Sequence, residues 1–506
     1  MIPMLKERAS GILLHPTSLP GKYGIGTLGK NAFNFIDFLV KSRQKIWQIL
    51  PLGPTGFADS PYQCFSSHAG NPNLIDLELL VKSHLIRKED LEQLPVFDDK
   101  QVDFELVQTV RAPLLEKAFV NFQELSDHTE KLRYRNFLKD QRHWLNDYAL
   151  FRAIKEHFNQ KPWYKWEESI KRKEEEVVQK YHSQLLSRVE FHKFLQYIFF
   201  RQWMDVKEYA HKKQIRIIGD IPLYVALDSA DSWANPGIFE FDDHLNPIRV
   251  GGVPPDYFSA TGQLWGNPLF RWDVLKQTGY QWWIDRIRTN LFLFDIIRID
   301  HFRGFAAYWA VPYGEKTAIK GSWLPGPGKD FFEAMRNAFE DLPVIAEDLG
   351  VMTQEVEDLR DEFMLPGMKI LEFAFDSSEA NDYLPHNFIK NCIVYTGTHD
   401  NDTVAGWFKE TGREDRKLVL DYLNTGEKDI HWSFVRLAWA SVANTAIVPM
   451  QDLLGLDSNS RMNLPGTTEG NWKWRATSGD FSDQLAANLA NITEIYGRTK
   501  KLKTKS

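Results

Sequence analysis

The stretch PVIAEDLG, residues 343–350, sets four uncharged residues before two adjacent acids and closes on Leu349 and Gly350. A run this short, bounded by turn residues, has the length of a buried strand rather than of a helix. Glu347 and Asp348 fall where such a strand would stop. Seven other short apolar runs lie along the chain: SGILLHP around Leu13, IWQILPLGP from Ile46, IRIIGDIPLYV from Ile215, FDIIRIDHFRG from Phe294, GMKILEFAFD from Gly367, NCIVYTGTHDN from Asn391 and NTAIVPMQD from Asn444. Their near-continuous hydrophobicity, rich in Ile and Val, fits strands covered on both faces, as in a parallel sheet. Helical patterns separate them: NAFNFIDFLVKSRQ precedes the second run, FFEAMRNAFEDL the fifth and WSFVRLAWASVA the eighth. Eight strands alternating with helices predict an α/β fold, a (β/α)8 TIM barrel. A doubly wound open sheet is the competing arrangement.

Two spans are too long for a plain crossover. Residues 80–187, between the second and third runs, are charged and helix-patterned, with Leu114, Leu115, Ala118, Phe119 and Phe122 recurring on one face. They predict a helical insertion. Phe191, Phe194, Leu195, Ile198, Phe199 and Trp203 then mark an amphipathic helix that delivers the third strand. Residues 226–272 are rich in Gly, Pro, Asp and aromatics and predict a loop subdomain over the barrel mouth. The expected organisation is one catalytic barrel unit spanning 1–506 that carries both additions.

The chain has 506 residues, 43 % of them hydrophobic, and a net charge of −7. That mild acidity gives no footprint for nucleic acid. No stretch approaches the ~18 apolar residues of a membrane span, and the N-terminus lacks a signal-peptide core. The basic tail RTKKLKTKS reads as a solvated end. The two cysteines, Cys64 and Cys392, are far apart and outside any metal spacing, which suits a reducing compartment. A soluble protein of the cytoplasm is expected, or of the plastid stroma for a plant protein shorn of its transit peptide. Aromatic residues make up 13 % of the chain. Several fall in loops such as DSWANPGIFEF, GQLWGNPLF and GNWKWR, where flat rings with polar tips suit a sugar as well as they suit loop packing.

In a barrel of this type the chemistry sits where strands end. The third run ends at Asp220, the fourth at Asp300 after Arg298, the fifth at Glu347, the sixth at Asp376 and the seventh at Asp400 after His399. A single such acid is as readily a helix cap. Five on one rim repel one another, which costs stability and points to function. Several carboxylates with an Arg, a His and aromatic loops suit glycoside chemistry, in which one carboxylate attacks the anomeric carbon and a protonated one gives its proton to the leaving oxygen. Crowding and partial burial keep that second acid protonated. Dispersed acids also suit Mg²⁺, but no His-x₃-His pair or EF-hand loop is present, and GKYGIGTLG lacks the Lys-Ser/Thr of a phosphate loop.

At RIDHFRG (298–304), AEDLG (346–350) and GTHDNDT (397–403) the sequence resembles the strand-end motifs of the amylomaltase, or disproportionating-enzyme, family of the α-amylase clan. LHPTSLPGKYGIGTLG, LPLGPTGFADSPYQ, GDIPLYV, VPPDYFSATGQLWGNP and RMNLPGTTEGNWKWR extend the resemblance over about residues 9–475. It implies a 4-α-glucanotransferase that keeps one piece of a cleaved α-1,4-glucan as a covalent glycosyl-enzyme and passes it to the 4-hydroxyl of another glucan or of glucose. By motif, Asp300 would be the nucleophile, Glu347 the general acid/base and Asp400 the transition-state stabiliser. Arg298 would orient the nucleophile. His399 and Asp220 would contact the sugar beside it, Asp376 would be a further sugar-binding acid, and Tyr62 would stack under the reacting ring. Gln263, Trp265 and Asn463 would line the acceptor side.

Asp348 is expected to serve the backbone turn or a neighbouring Arg. GDIPLYV lacks the Asn-His that follows the third-strand acid in the wider clan, so neither a metal nor another cofactor is expected. The partners expected are α-1,4-glucans, namely maltooligosaccharides and amylose, with glucose as an acceptor. The Gly-rich and aromatic loops 251–268 and 461–475 would shield the intermediate from water. An α-glucan hydrolase on the same scaffold and a non-catalytic glucan-binding protein are the alternatives.

Overall fold

The computed structural model describes residues 7–255, 259–376 and 381–499. The middle of the 251–268 loop, at 256–258, and the basic tail from 500 onward lie outside them. Each of the eight apolar runs forms a strand: β1 (Ala9–Leu13), β2 (Ile46–Gln48), β3 (Arg216–Ile221), β4 (Ile296–Ile299), β5 (Val344–Ala346), β6 (Gly367–Ile370), β7 (Cys392–Tyr395) and β8 (Thr445–Pro449). They form one parallel sheet in the order β6-β7-β8-β1-β2-β3-β4-β5. The Ala346 N–H donates to the Pro366 carbonyl at 3.0 Å, which brings β5 against the start of β6 and all but closes the cylinder. Ile297, Ile299, Val344, Ile345 and Val394 are almost wholly buried, as expected of strands covered on both faces.

Register, more than composition, builds the site. Asp220 of β3 stands opposite Arg298 of β4, and Ile297 opposite Val344 of β5. In a parallel ladder such partners share a face, so the guanidinium meets the carboxylate inside the rim. On the other face of β3, Gly219 makes room for Phe294, whose ring a Cβ there would approach to 2.0 Å.

Two strands stop earlier than the apolar runs suggest. β6 ends at Ile370 and turns into a 3-10 helix, Leu371–Phe373, so that Asp376 lies well beyond the strand and is exposed. Strand β7 ends at Tyr395, and a loop rather than a strand tip carries His399 and Asp400. Both departures occur where side chains offer the backbone other hydrogen-bond partners.

The span between β2 and β3 is helical. Helices α1 (Phe104–Glu124) and α2 (Arg142–His157) pack on the long α3 (Leu186–Lys212). Phe122 meets Phe194 with ring centroids 4.9 Å apart, and Phe119 meets Phe191 at 5.7 Å. The buried Lys155 of α2 pairs with Asp228 just after β3, and Trp163 donates to the Leu227 carbonyl at 2.6 Å. The insertion is thereby tied to the chain that leaves β3. Residues 249–253 and 263–268 form strands in a second, antiparallel sheet of four. Its other two strands, Ala307–Pro312 and Ser322–Pro325, come from the chain after β4. The aromatic segment after β3 is therefore not self-contained, because its hydrogen bonds are completed by a later crossover. No helix among the described residues is long and apolar enough to cross a membrane.

Candidate active site

Arg298 is the hub of the rim. Its Nε donates to Asp220 Oδ1 at 3.0 Å, and its Nη2 to Asp220 Oδ2 at 2.6 Å and to Asp300 Oδ1 at 3.0 Å. The Tyr62 hydroxyl donates to Asp220 Oδ2 at 2.6 Å and accepts from Arg298 Nη2 at 3.1 Å. Arg298 and Asp220 have side chains only 4 % and 1 % exposed, whereas Asp300 keeps 30 % of its side chain open. The buried pair thus holds the open carboxylate from behind. Charge-assisted contacts of this kind are the strong ones, and a guanidinium that spans two carboxylates lets both approach.

Asp300 and Glu347 follow the ends of neighbouring strands, β4 and β5, and are tied together by one backbone reversal. Strand β4 ends at Ile299, whose carbonyl accepts the Glu347 N–H at 3.0 Å. Immediately after Asp300 the chain enters the left-handed region at His301 (φ 56°), a conformation that costs a non-glycine residue about 1 kcal/mol. The reversal turns the His301 N–H onto Glu347 Oε2 at 2.6 Å, and the Phe302 N–H onto the Glu347 carbonyl at 3.1 Å. The other carboxylate oxygen, Oε1, accepts from the Leu349 N–H at 3.2 Å.

The electrostatics separate the two acids. Burial raises Glu347 well above the usual carboxylate range, helped by the charge of Asp300 and opposed by Arg298 and the His301 N–H. Burial also raises Asp300, to about 7, with Arg298 pulling it down and Asp220 and Asp400 pushing it up. Of the pair, the group in contact with the guanidinium loses its proton first, and Glu347 keeps its own.

Asp348 faces away from the cleft. It is buried, accepts from Arg360 Nη1 at 2.7 Å and from the Met368 N–H at 2.7 Å, and so holds both the turn and an arginine.

The facing wall is aromatic and polar. The Tyr62 ring stacks on His399 with centroids 5.1 Å apart and planes 11° from parallel, and Trp472 lies within 6.0 Å of both. Burial depresses His399, with the charge of Asp400 opposing it. Asn463 Nδ2 donates to Asp400 Oδ1 at 2.6 Å, its N–H donates to the His399 carbonyl at 3.0 Å, and Arg461 donates to the carbonyls of Asp400 and Asn463. Trp265 donates from Nε1 to Gln263 Oε1 at 3.2 Å and meets the His301 ring edge-on at 4.8 Å. Gln263 and Trp265 lie on a strand of the antiparallel sheet rather than on a loop.

The structure therefore draws Tyr62, Asp220, Arg298, Asp300 and Glu347 into one connected group. His399, Asp400 and Asn463 form a second group that joins it through the Tyr62 ring. Gln263 and Trp265 reach it through His301. Asp376 stands apart, exposed and accepting from Asn381 Nδ2 at 2.9 Å, beside the undescribed 377–380. His301, Arg461 and Trp472 carry no role in the sequence reading. Each lies within a quoted motif, and only the fold reveals what it touches.

A family model described as 4-alpha-glucanotransferase matches residues 14–480. A 4-alpha-glucanotransferase of Synechocystis sp. is 52 % identical, covering 98 % of this chain and 99 % of its own. One from Clostridium butyricum is 48 % identical, covering 96 % of this chain and 100 % of its own. A solved amylomaltase from Streptococcus agalactiae, in complex with acarbose, matches the fold with a TM-score of 0.95 at 43 % identity, covering 97 % of this chain and 100 % of that one.

Proposed function

The chain belongs to the 4-alpha-glucanotransferase family of transferases, and from that premise we propose that it transfers α-1,4-glucan segments by retaining double displacement through a covalent glycosyl-Asp300 intermediate. Asp300 Oδ attacks the anomeric carbon of the donor. Glu347 gives its proton to the departing glycosidic oxygen, and the released glucan leaves with a free 4-hydroxyl. Glu347, now ionised, takes the proton from the 4-hydroxyl of an incoming glucan or glucose. That oxygen displaces Asp300, and the configuration at the anomeric carbon is retained.

One observation carries this reading. The two carboxylates follow the ends of neighbouring strands, Asp300 held by Arg298 and Glu347 by the N–H of the turn that follows Asp300, and burial favours the protonated form of Glu347. Asp400, held by Asn463, would stabilise the positive charge that builds on the sugar ring. Tyr62, His399 and Asp220 would bind the reacting sugar, Asp376 would bind a further one, and Gln263, Trp265 and Asn463 would hold the acceptor. Substrates would be maltooligosaccharides, amylose and glucose. The free thiols of Cys64 and Cys392 favour a reducing compartment such as the cytoplasm. Residues 80–187 and 226–272 would be subdomains carried by the one barrel unit, and loops 251–268 and 461–475 would close over the cleft and exclude water from the intermediate.

Maltotriose tests the proposal. The wild type should yield glucose and a ladder of longer oligomers with nearly constant reducing ends. Glu347→Gln should lose on the order of 10² or more in rate. A steady rise in reducing ends would mean hydrolysis. A Glu347→Gln variant with unaltered turnover would remove that residue from the chemistry.

A further inference from the structure

The loop that carries His399 and Asp400 leaves β7 at Tyr395 and re-enters regular structure at the helix Val404–Glu410. Both of its feet rest on one carboxylate. The Thr396 hydroxyl donates to Asp452 Oδ2 at 2.6 Å, and the Val404 N–H donates to Asp452 Oδ1 at 2.8 Å. Asp452 belongs to the short helix Met450–Leu454 that follows β8, and it is 1 % exposed. Among the described residues no cation pairs with it.

From this geometry we propose that Asp452 is a positioning residue for the transfer reaction, a bridge that fixes both ends of the loop and thereby the reach of Asp400 into the cleft. The inference rests on the role given to Asp400 above. The interior of the loop is already bonded. Asn401 Oδ1 accepts from the Thr398 N–H at 2.9 Å and from its hydroxyl at 2.8 Å, and the Asp400 N–H donates to Thr398 Oγ1 at 3.3 Å. Behind it, a Cβ on Gly397 would stand 2.7 Å from Glu372 Oε1, so the turn lies hard against the barrel. Asn463 and Arg461 hold its tip from one side, through Asp400 and the His399 carbonyl. Its two ends are held by the bonds that Asp452 accepts, and these set the direction in which it leaves the barrel. A buried carboxylate is costly unless hydrogen-bonded. A group placed to support a reactive side chain needs positional accuracy of a fraction of an ångström.

The chemistry of the side chain supplies the test. An amide can keep both bonds, its oxygen accepting from Val404 and its NH₂ donating to a Thr396 hydroxyl turned to accept. An alanine loses both, and Thr396→Val loses one. With maltotriose, Asp452→Ala should lower kcat about tenfold or more with KM within about twofold, Thr396→Val about threefold, and Asp452→Asn should restore kcat to within about twofold. In an Asp400→Asn background, adding Asp452→Ala should cost less than about a further twofold, because the group it aims is gone. Circular dichroism and melting establish that each variant is folded. Wild-type kcat in Asp452→Ala overturns the proposal, as does an equal loss with and without Asp400. If Asp452→Ala does not fold, Thr396→Val decides, and wild-type turnover there overturns it. Full activity of Asp400→Asn overturns the role of Asp400 itself, and this inference with it.

Discussion

Between β3 and β5 the rim gathers Asp220, Asp300 and Glu347 around Arg298. Between β6 and β8 it gathers Glu372, Asp402 and Asp452, and among the described residues none of these three pairs directly with a cation. Their partners are neutral: Thr396 and the Val404 N–H for Asp452, Ser458 and the Thr403 N–H for Asp402. Burial pushes Asp452 up to about 6 and raises Glu372 well above the carboxylate range, with nearby acids adding to both. A guanidinium allows a carboxylate to stay ionised while it faces a substrate. Neutral donors turn a carboxylate into a brace for the backbone. Arg461 acts on Glu372 only through space. Two groups of acids on one rim thus differ in whether a guanidinium bonds them directly.

That contrast breaks most severely if the cation is removed. Arg298→Met leaves Asp220 buried without its ion pair, and losing one partner of a buried pair costs about 3–5 kcal/mol. Denaturant unfolding should show that loss, and maltotriose turnover should collapse with it as Asp300 loses the contact that keeps it ionised. Stability close to wild type would mean that Arg298 is not the keystone of the rim.

A smaller effect is expected at the other paired acid. Asp348→Asn can still accept from the Met368 N–H, but it turns an amide NH₂ or an uncharged oxygen toward Arg360. The expected cost is about 1–3 kcal/mol, read as a lower unfolding midpoint, with maltotriose turnover within about twofold of wild type. A large loss of rate at unchanged stability would move Asp348 into the chemistry and erase the distinction from Glu347.

The smallest effect has the opposite sign. Folded Glu347 titrates above its unfolded value, so the native state retains a proton that the unfolded chain releases above about pH 4.3. Wild type is therefore destabilised as pH rises through that range, up to the folded value. Gln has no proton to hold. Glu347→Gln is expected to melt higher than wild type near pH 8, with the advantage fading toward about pH 4. A lower melting temperature near pH 8 would mean that Glu347 is stabilising as an anion, like the carboxylates around the guanidinium.

What the sequence determined by itself was local and periodic. Eight apolar runs of strand length, separated by helical patterns, were sufficient for a parallel α/β sheet, because strands covered on both faces must be apolar throughout, and they favoured the barrel over an open doubly wound sheet. Asp220, Asp300 and Glu347 were legible as rim acids because each follows or closes such a run. The amphipathic face of Phe191 to Trp203 was legible for the same reason. Tertiary structure decided the rest. Register set Arg298 beside Asp220, and a left-handed turn at His301 brought Glu347 to Asp300. Strands from either side of β4 had to meet before the mouth sheet that carries Gln263 and Trp265 existed. Asp376 looked like a strand-end acid only because the apolar run LEFAF outlasts the strand. Asp452 shows the limit most plainly. It lies 52 positions from Asp400 in the numbering, and although it closes the run NTAIVPMQD as the other rim acids close theirs, nothing there tells which segment it bonds. Periodicity reports which face of an element is buried. Hydrogen bonds between distant segments depend on where the folded chain brings them, and no local pattern encodes that meeting.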